Sequence, residues 1–175
     1  MVLDPIETLE DVLMFMGIDA HSLVCDVDRD PFAVGTTPHP ADFARLQEMG
    51  VRLVINMRLL RGGRPDSLDP ELQYLRLRTF DSPLLLIPVP TLIRGVLAAL
   101  TVIEDGGSVY THCSRGRHRS VAMAAAILIA QGRSPDEAMT LIKQQRPHAD
   151  PEAAHIRSRI LKFEQAWRLA GGYQS

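Results

Sequence analysis

Cys113 and Arg119 stand with five residues between them in the run Val109-Tyr110-Thr111-His112-Cys113-Ser114-Arg115-Gly116-Arg117-His118-Arg119-Ser120. A β-prone stretch, Ser108 to His112, feeds this polar loop, and an apolar helical pattern, Val121 to Gln131, leaves it. A loop entering a helix N-terminus aims several backbone N–H groups at one tetrahedral anion, and the positive end of the helix dipole adds to the attraction. Gly116 permits a turn that a Cβ would hinder. Arg119 offers a planar fork for two phosphate oxygens at once, which a lysine does not. In that field a thiol with a free pKa of about 8.5 falls below neutrality, because N–H groups and arginines favour the thiolate. The run reads as a phosphate cradle with Cys113 as its nucleophile.

The same run resembles the signature loop of the cysteine-dependent protein phosphatases, and Gly116, three residues after the cysteine, fits their dual-specificity branch. The likeness extends more faintly through Phe32-Ala33-Val34-Gly35 ahead of a helix and through Val51 to Arg58. The mechanism this implies is in-line attack by Cys113 on phosphorus, a phosphocysteine, and hydrolysis of that intermediate. Arg119 and the backbone N–H groups of Ser114 to Arg119 hold the equatorial oxygens, with Arg115, Gly116, Arg117 and His118 shaping the substrate side. The resemblance implies that the Ser120 hydroxyl donates to the departing sulfur. His112 orders the loop, and no metal or cofactor enters the scheme.

The leaving oxygen needs a proton that Cys113 cannot supply while bonded to phosphorus. In open α/β sheets reactive groups gather at the carboxyl ends of strands. Asp81 meets that condition after strand Leu72 to Leu77, and it lies 32 residues before Cys113, a separation similar to that of the family's general acid. Asp66, Asp69 and Glu71 precede the strand and fall at its opposite end. Asp-Ser-Pro is also an ordinary turn. Arg58, Arg61 and Arg64 follow strand Val51 to Met57 and either flank the mouth or, for Arg58, serve a structural ion pair.

Arg115, Arg117 and His118 add more positive charge than one phosphate requires. Arg115 to Arg119 resembles the loop of plant and fungal atypical dual-specificity phosphatases, a group associated with inositol pyrophosphates. The leading expectation is a protein tyrosine/dual-specificity phosphatase. The alternatives are a phosphatase of inositol polyphosphates or phosphoinositide headgroups, and a phosphate-binding module with little turnover. A sulfurtransferase-like cysteine loop fits Gly116 and Arg119 less well. Cys25 reads as a buried strand residue, or as a redox partner of Cys113.

The elements that must position these groups follow from patterning. Apolar spacing at Ile6, Leu9, Leu13 and Met16 predicts an N-terminal helix within an extension, residues 1–21. Short strands are expected over Ser22 to Val27 and Phe32 to Val34, and a helix over Pro40 to Met49. The continuous apolar run Val51 to Met57 suits a central strand. Helices are expected over Pro90 to Glu104, Val121 to Gln131, Pro135 to Gln145 behind Ser134 as cap, and Pro151 to Ala170. Strands alternating with helices predict an α/β fold, a mainly parallel sheet of four to five strands flanked by helices, in one domain over 1–175 with residues 108–131 as its strand, loop and helix.

Composition is consistent with this and narrows the class. The 175 residues are 46% hydrophobic and 23% charged, which suits a globular core and excludes disordered and collagen-like chains. The longest uncharged apolar stretch, Val121 to Ala130, is half of a bilayer span, so no integral membrane association is expected. A net charge of −2 provides no global field for nucleic acid, so the expected partner is a phosphorylated protein or a phosphorylated small molecule such as an inositol phosphate. Two cysteines and an acidic N-terminus point to a cytoplasmic protein. Oligomeric state is open.

Overall fold

The structure is a computed structural model that describes residues 23–24, 32–60 and 71–172. The helix expected over Ile6 to Met16, Cys25, and the charged residues Arg61, Arg64, Asp66 and Asp69 lie outside the described residues. Strands β1 (Leu23–Val24), β2 (Phe32–Gly35), β3 (Val51–Arg58), β4 (Gln73–Thr79) and β5 (Ser108–His112) form one sheet in the order β1-β2-β5-β3-β4. β2, β5, β3 and β4 run parallel, and β1 pairs antiparallel with β2. The mainly parallel α/β sheet expected from the sequence is the one observed.

Among the described residues, five helices flank the sheet: α1 (Asp42–Glu48), α2 (Val89–Glu104), α3 (Arg119–Ala130), α4 (Pro135–Gln145) and α5 (Ala154–Leu169). Alanine-rich α3 is the centre of the larger core. Its residues are buried from Arg119 to Ile129, because it packs on the sheet with α2, α4 and α5 around it. A smaller core of Phe43, Leu46, Val54 and Tyr110 lies under α1 on the other face. β3 contributes to both cores, Leu53, Ile55 and Met57 to the first and Val51 and Val54 to the second. This two-sided burial is why its sequence is continuously apolar rather than alternating.

Register decides where the chemistry can sit. Gly35 and Asn56 both pair with His112, and Arg58 pairs with Thr79. The carboxyl ends of β2, β5, β3 and β4 therefore share one edge, and Thr37, Cys113, Arg58 and Asp81 leave the sheet there. Several boundaries move by one to three residues. α1 begins at Asp42 instead of Pro40, with the Asp42 carboxylate accepting the His39 N–H. α5 begins at Ala154 instead of Pro151, because Asp150 just before it is held by the loop that carries Cys113.

Candidate active site

Cys113 follows β5 directly and is buried. Its Sγ lies 3.3 Å from the Ser120 Oγ in the first turn of α3. Burial pushes the thiol up, but the Ser120 hydroxyl, the backbone N–H groups of Ser120 and Arg115, and the Arg119 charge together bring it below the ordinary thiol value. Stabilisation of the anion thus outweighs desolvation. The Thr111 hydroxyl donates to the Ser120 carbonyl at 3.3 Å, tying β5 to the same turn.

The loop is shaped by Gly116, whose φ of +60° is a left-handed conformation. A Cβ there would lie 2.7 Å from the carbonyl carbon and oxygen of Gly35, so the chain passes too close to β2 for a side chain. The Gly116 carbonyl accepts from Nε of Arg146, the residue that ends α4, at 2.9 Å. Farther along, the Asp150 N–H donates to the Arg117 carbonyl at 3.0 Å, and the Asp150 carboxylate pairs with the Arg117 guanidinium at 3.1 Å. On the sheet side Arg58 Nη1 donates to Thr37 Oγ1, which donates to the Cys113 carbonyl, each at 2.9 Å. Arg58 therefore reaches the loop through a threonine, where the sequence suggested a place at the mouth or in an ion pair.

Arg119 is buried at the start of α3. Its Nη1 donates to the Met57 carbonyl at 3.1 Å and the Thr79 carbonyl at 3.0 Å, the ends of β3 and β4. Its Nη2 pairs with Asp81 Oδ2 at 3.0 Å. Nε is buried with no hydrogen-bond partner. His112 is fully buried, and burial with the Arg58 and Arg119 charges lowers its pKa to about 3 against the opposing Cys113 backbone, although neither ring nitrogen completes a hydrogen bond. The imidazole is neutral and stacks beside Tyr110, centroids 6.0 Å apart.

A cleft of about 470 Å³ gathers Asp81, Cys113, Ser114, Arg115, Arg117 and His118, together with His155 from the first turn of α5. His118 and His155 meet edge to face at 5.0 Å. Burial, and then the neighbouring His155 and Arg117, lower the His118 pKa against the pull of Asp150 and Asp81. Arg119 lies behind this opening, in a smaller hollow that also contains Asp81 and His118. A lowered thiol, a buried guanidinium and a carboxylate at one mouth can transfer a phosphoryl group to sulfur and on to water.

No family model matches the chain. Over 122 residues, 69% of this chain and 71% of the relative, it is 32% identical to mouse dual specificity phosphatase 28. The chain belongs to the dual-specificity phosphatase family. The crystal structure of human DUSP28 is similar with a TM-score of 0.70 at 26% identity, covering 80% of this dual-specificity phosphatase and 95% of that chain. Rat phosphatidylglycerophosphatase and protein-tyrosine phosphatase 1 is 44% identical over 80 residues, which are 43% of this chain and only 39% of that protein. As a member of its family the chain is a cysteine-dependent phosphoric monoester hydrolase that works without a metal. No helix among the described residues is long and apolar enough to cross a membrane.

The residues that sequence reasoning missed around this phosphatase's loop are Thr37, Arg146, Asp150 and His155. All act across the fold. In the sequence Arg146 is one of 17 arginines and carries no local mark, although its burial at a helix end distinguishes it at once in the structure.

Proposed function

We propose that this dual-specificity phosphatase uses Cys113 as nucleophile, Asp81 as general acid and base, Arg119 with the loop N–H groups as the oxyanion cradle, and Ser120 as donor to the departing sulfur. The observation that carries this reading is the convergence of the Cys113 sulfur, 3.3 Å from the Ser120 hydroxyl, and the Asp81–Arg119 pair on one cleft, with donors that favour the thiolate. The Cys113 thiolate attacks phosphorus, an S–P bond forms as the ester P–O bond breaks, and Asp81 gives its proton to the leaving oxygen. Water then attacks phosphorus, Asp81 takes the proton, and the S–P bond breaks with Ser120 donating to sulfur. Asp81 rests on Arg119 Nη2 in this structure. In the proposed cycle the phosphoryl oxygens take that place and Asp81 turns to the leaving oxygen. Thiolate character makes Cys113 oxidisable, which suits a reducing compartment and is in keeping with a cytoplasmic location.

The leading substrates are phosphotyrosine and phosphoserine or phosphothreonine in proteins. A second reading, a phosphorylated inositol or lipid headgroup, is favoured by a neighbouring hollow of about 460 Å³ that shares Arg115 and Arg117 with the cleft and adds Lys143 and His148. The name of the rat relative, a phosphatidylglycerophosphatase, supports it too. A phosphate-release panel of phosphopeptides, inositol polyphosphates and phosphoinositides, run with chelator on the wild type and Cys113→Ser, tests both readings. We expect chelator-resistant turnover in the wild type and none in the variant, which retains vanadate binding. Turnover by Cys113→Ser overturns the assignment of the nucleophile.

A further inference from the structure

Exposed apolar side chains are unevenly distributed over this molecule. Among the described residues, eight large hydrophobic side chains are exposed, and five of them follow β3 and β4 at the edge from which Cys113 emerges. Leu60 is 73% exposed, Phe80 50%, Leu84 89%, Leu85 52% and Leu86 41%. Leu84 to Leu86 are consecutive, so no strand or helix periodicity can turn all three inward, and Pro83 precedes them on the segment that carries Asp81. Leu85, Leu86 and Phe80 line the same hollow as Asp81 and Arg119. An apolar cluster of this kind beside a site marks an interaction surface.

The opposite flank of the mouth is cationic. Arg115 and Arg117 line the cleft with His118, and the acidic groups there are already paired, Asp81 with Arg119 and Asp150 with Arg117. Asp150 neutralises Arg117, which leaves the Arg115 charge without a carboxylate partner among the described residues. Apolar side chains on one side and the Arg115 guanidinium on the other match the layered chemistry of an anionic bilayer surface, where apolar groups sink to the acyl boundary while an arginine meets headgroup phosphates. We propose that the Leu60 and Phe80 to Leu86 rim docks this phosphatase on an anionic lipid bilayer, so that the phosphomonoester brought to Cys113 is carried by a lipid headgroup. The inference rests on the phosphomonoesterase reading above and deepens its second form, but the docking can be read without turnover.

The full chain carrying Cys113→Ser, which leaves the lipid intact, is sedimented with phosphatidylcholine vesicles, with phosphatidylserine added or omitted. We expect binding to the serine-containing vesicles and a loss of about tenfold or more on adding Leu84→Glu, since one inserted leucine is replaced by a charge. With Cys113 intact, Leu84→Glu keeps its turnover of p-nitrophenyl phosphate and loses release from vesicle-borne phosphoinositide. Leu84→Trp retains binding, and its emission shifts to the blue when vesicles are added. The proposal fails if the protein stays in the supernatant with both vesicles, if Leu84→Glu binds like its parent, or if the Leu84→Trp emission does not move. It fails equally if the protein is a dimer that Leu84→Glu dissociates, because a second copy then covers the rim. If the wild type lacks p-nitrophenyl phosphate turnover, the reaction assignment falls and sedimentation still decides the docking.

Discussion

The Ser120 hydroxyl has two uses 3.3 Å from the Cys113 sulfur, lowering the resting thiol and assisting sulfur as it leaves phosphorus in the proposed cycle. Ser120→Ala removes a donor that favours the anion, so the thiol pKa rises and the thiolate fraction at neutral and acidic pH falls. The rate of iodoacetamide alkylation against pH should show its midpoint move upward, and an unmoved midpoint leaves Ser120 without influence on the thiol. Asp81→Asn should slow a poor leaving group by about 10²–10⁴ while slowing p-nitrophenyl phosphate far less, because only the poor leaving group depends on a proton. Equal slowing of both substrates removes Asp81 from the acid role. Cys113, Arg119 and Ser120 are legible in the sequence because one helical turn and one loop hold them in a contiguous run. Asp81 is legible by a different route, from the end of the strand it follows. Arg58 is only half legible, since its partner Thr37 lies 21 residues away and nothing local announces it.

At the scale of elements, the loop between β5 and α3 is gripped from two sides. The segment from the end of α4 to the start of α5 holds its outer face through Arg146 and Asp150, and β2 presses on its inner face at Gly35. Arg146→Met leaves the Gly116 carbonyl without its charged donor, at a cost of about 1–3 kcal/mol measurable by urea denaturation, and should weaken vanadate binding as the loop loosens. Gly116→Ala should be worse for activity than for folding. The strained φ and the contact with Gly35 must be relieved by shifting the very backbone that aims the N–H groups, which a joint measurement of turnover and melting would reveal. Periodicity places each of these helices to within three residues. It is blind to the linker's contacts, because they pair residues about 30 positions apart. Those contacts also explain why α5 starts later than its apolar pattern suggests.

The whole molecule carries a net charge of −2, yet its active-site mouth is cationic. Attraction of a phosphate dianion is therefore local and should weaken with salt. kcat/KM for an aryl phosphate is expected to fall as ionic strength rises from about 0.01 to 0.15 M, where the Debye length shrinks from about 30 to 8 Å, and Arg115→Ala should flatten that slope. A slope unchanged in the variant places the steering charge elsewhere. The Asp81–Arg119 pair bears on chemical intervention as well. A guanidinium whose resting companion is a carboxylate already accommodates that functional group, so a carboxylic acid is a reasonable starting scaffold for an inhibitor, carrying a single negative charge in place of a phosphonate's two.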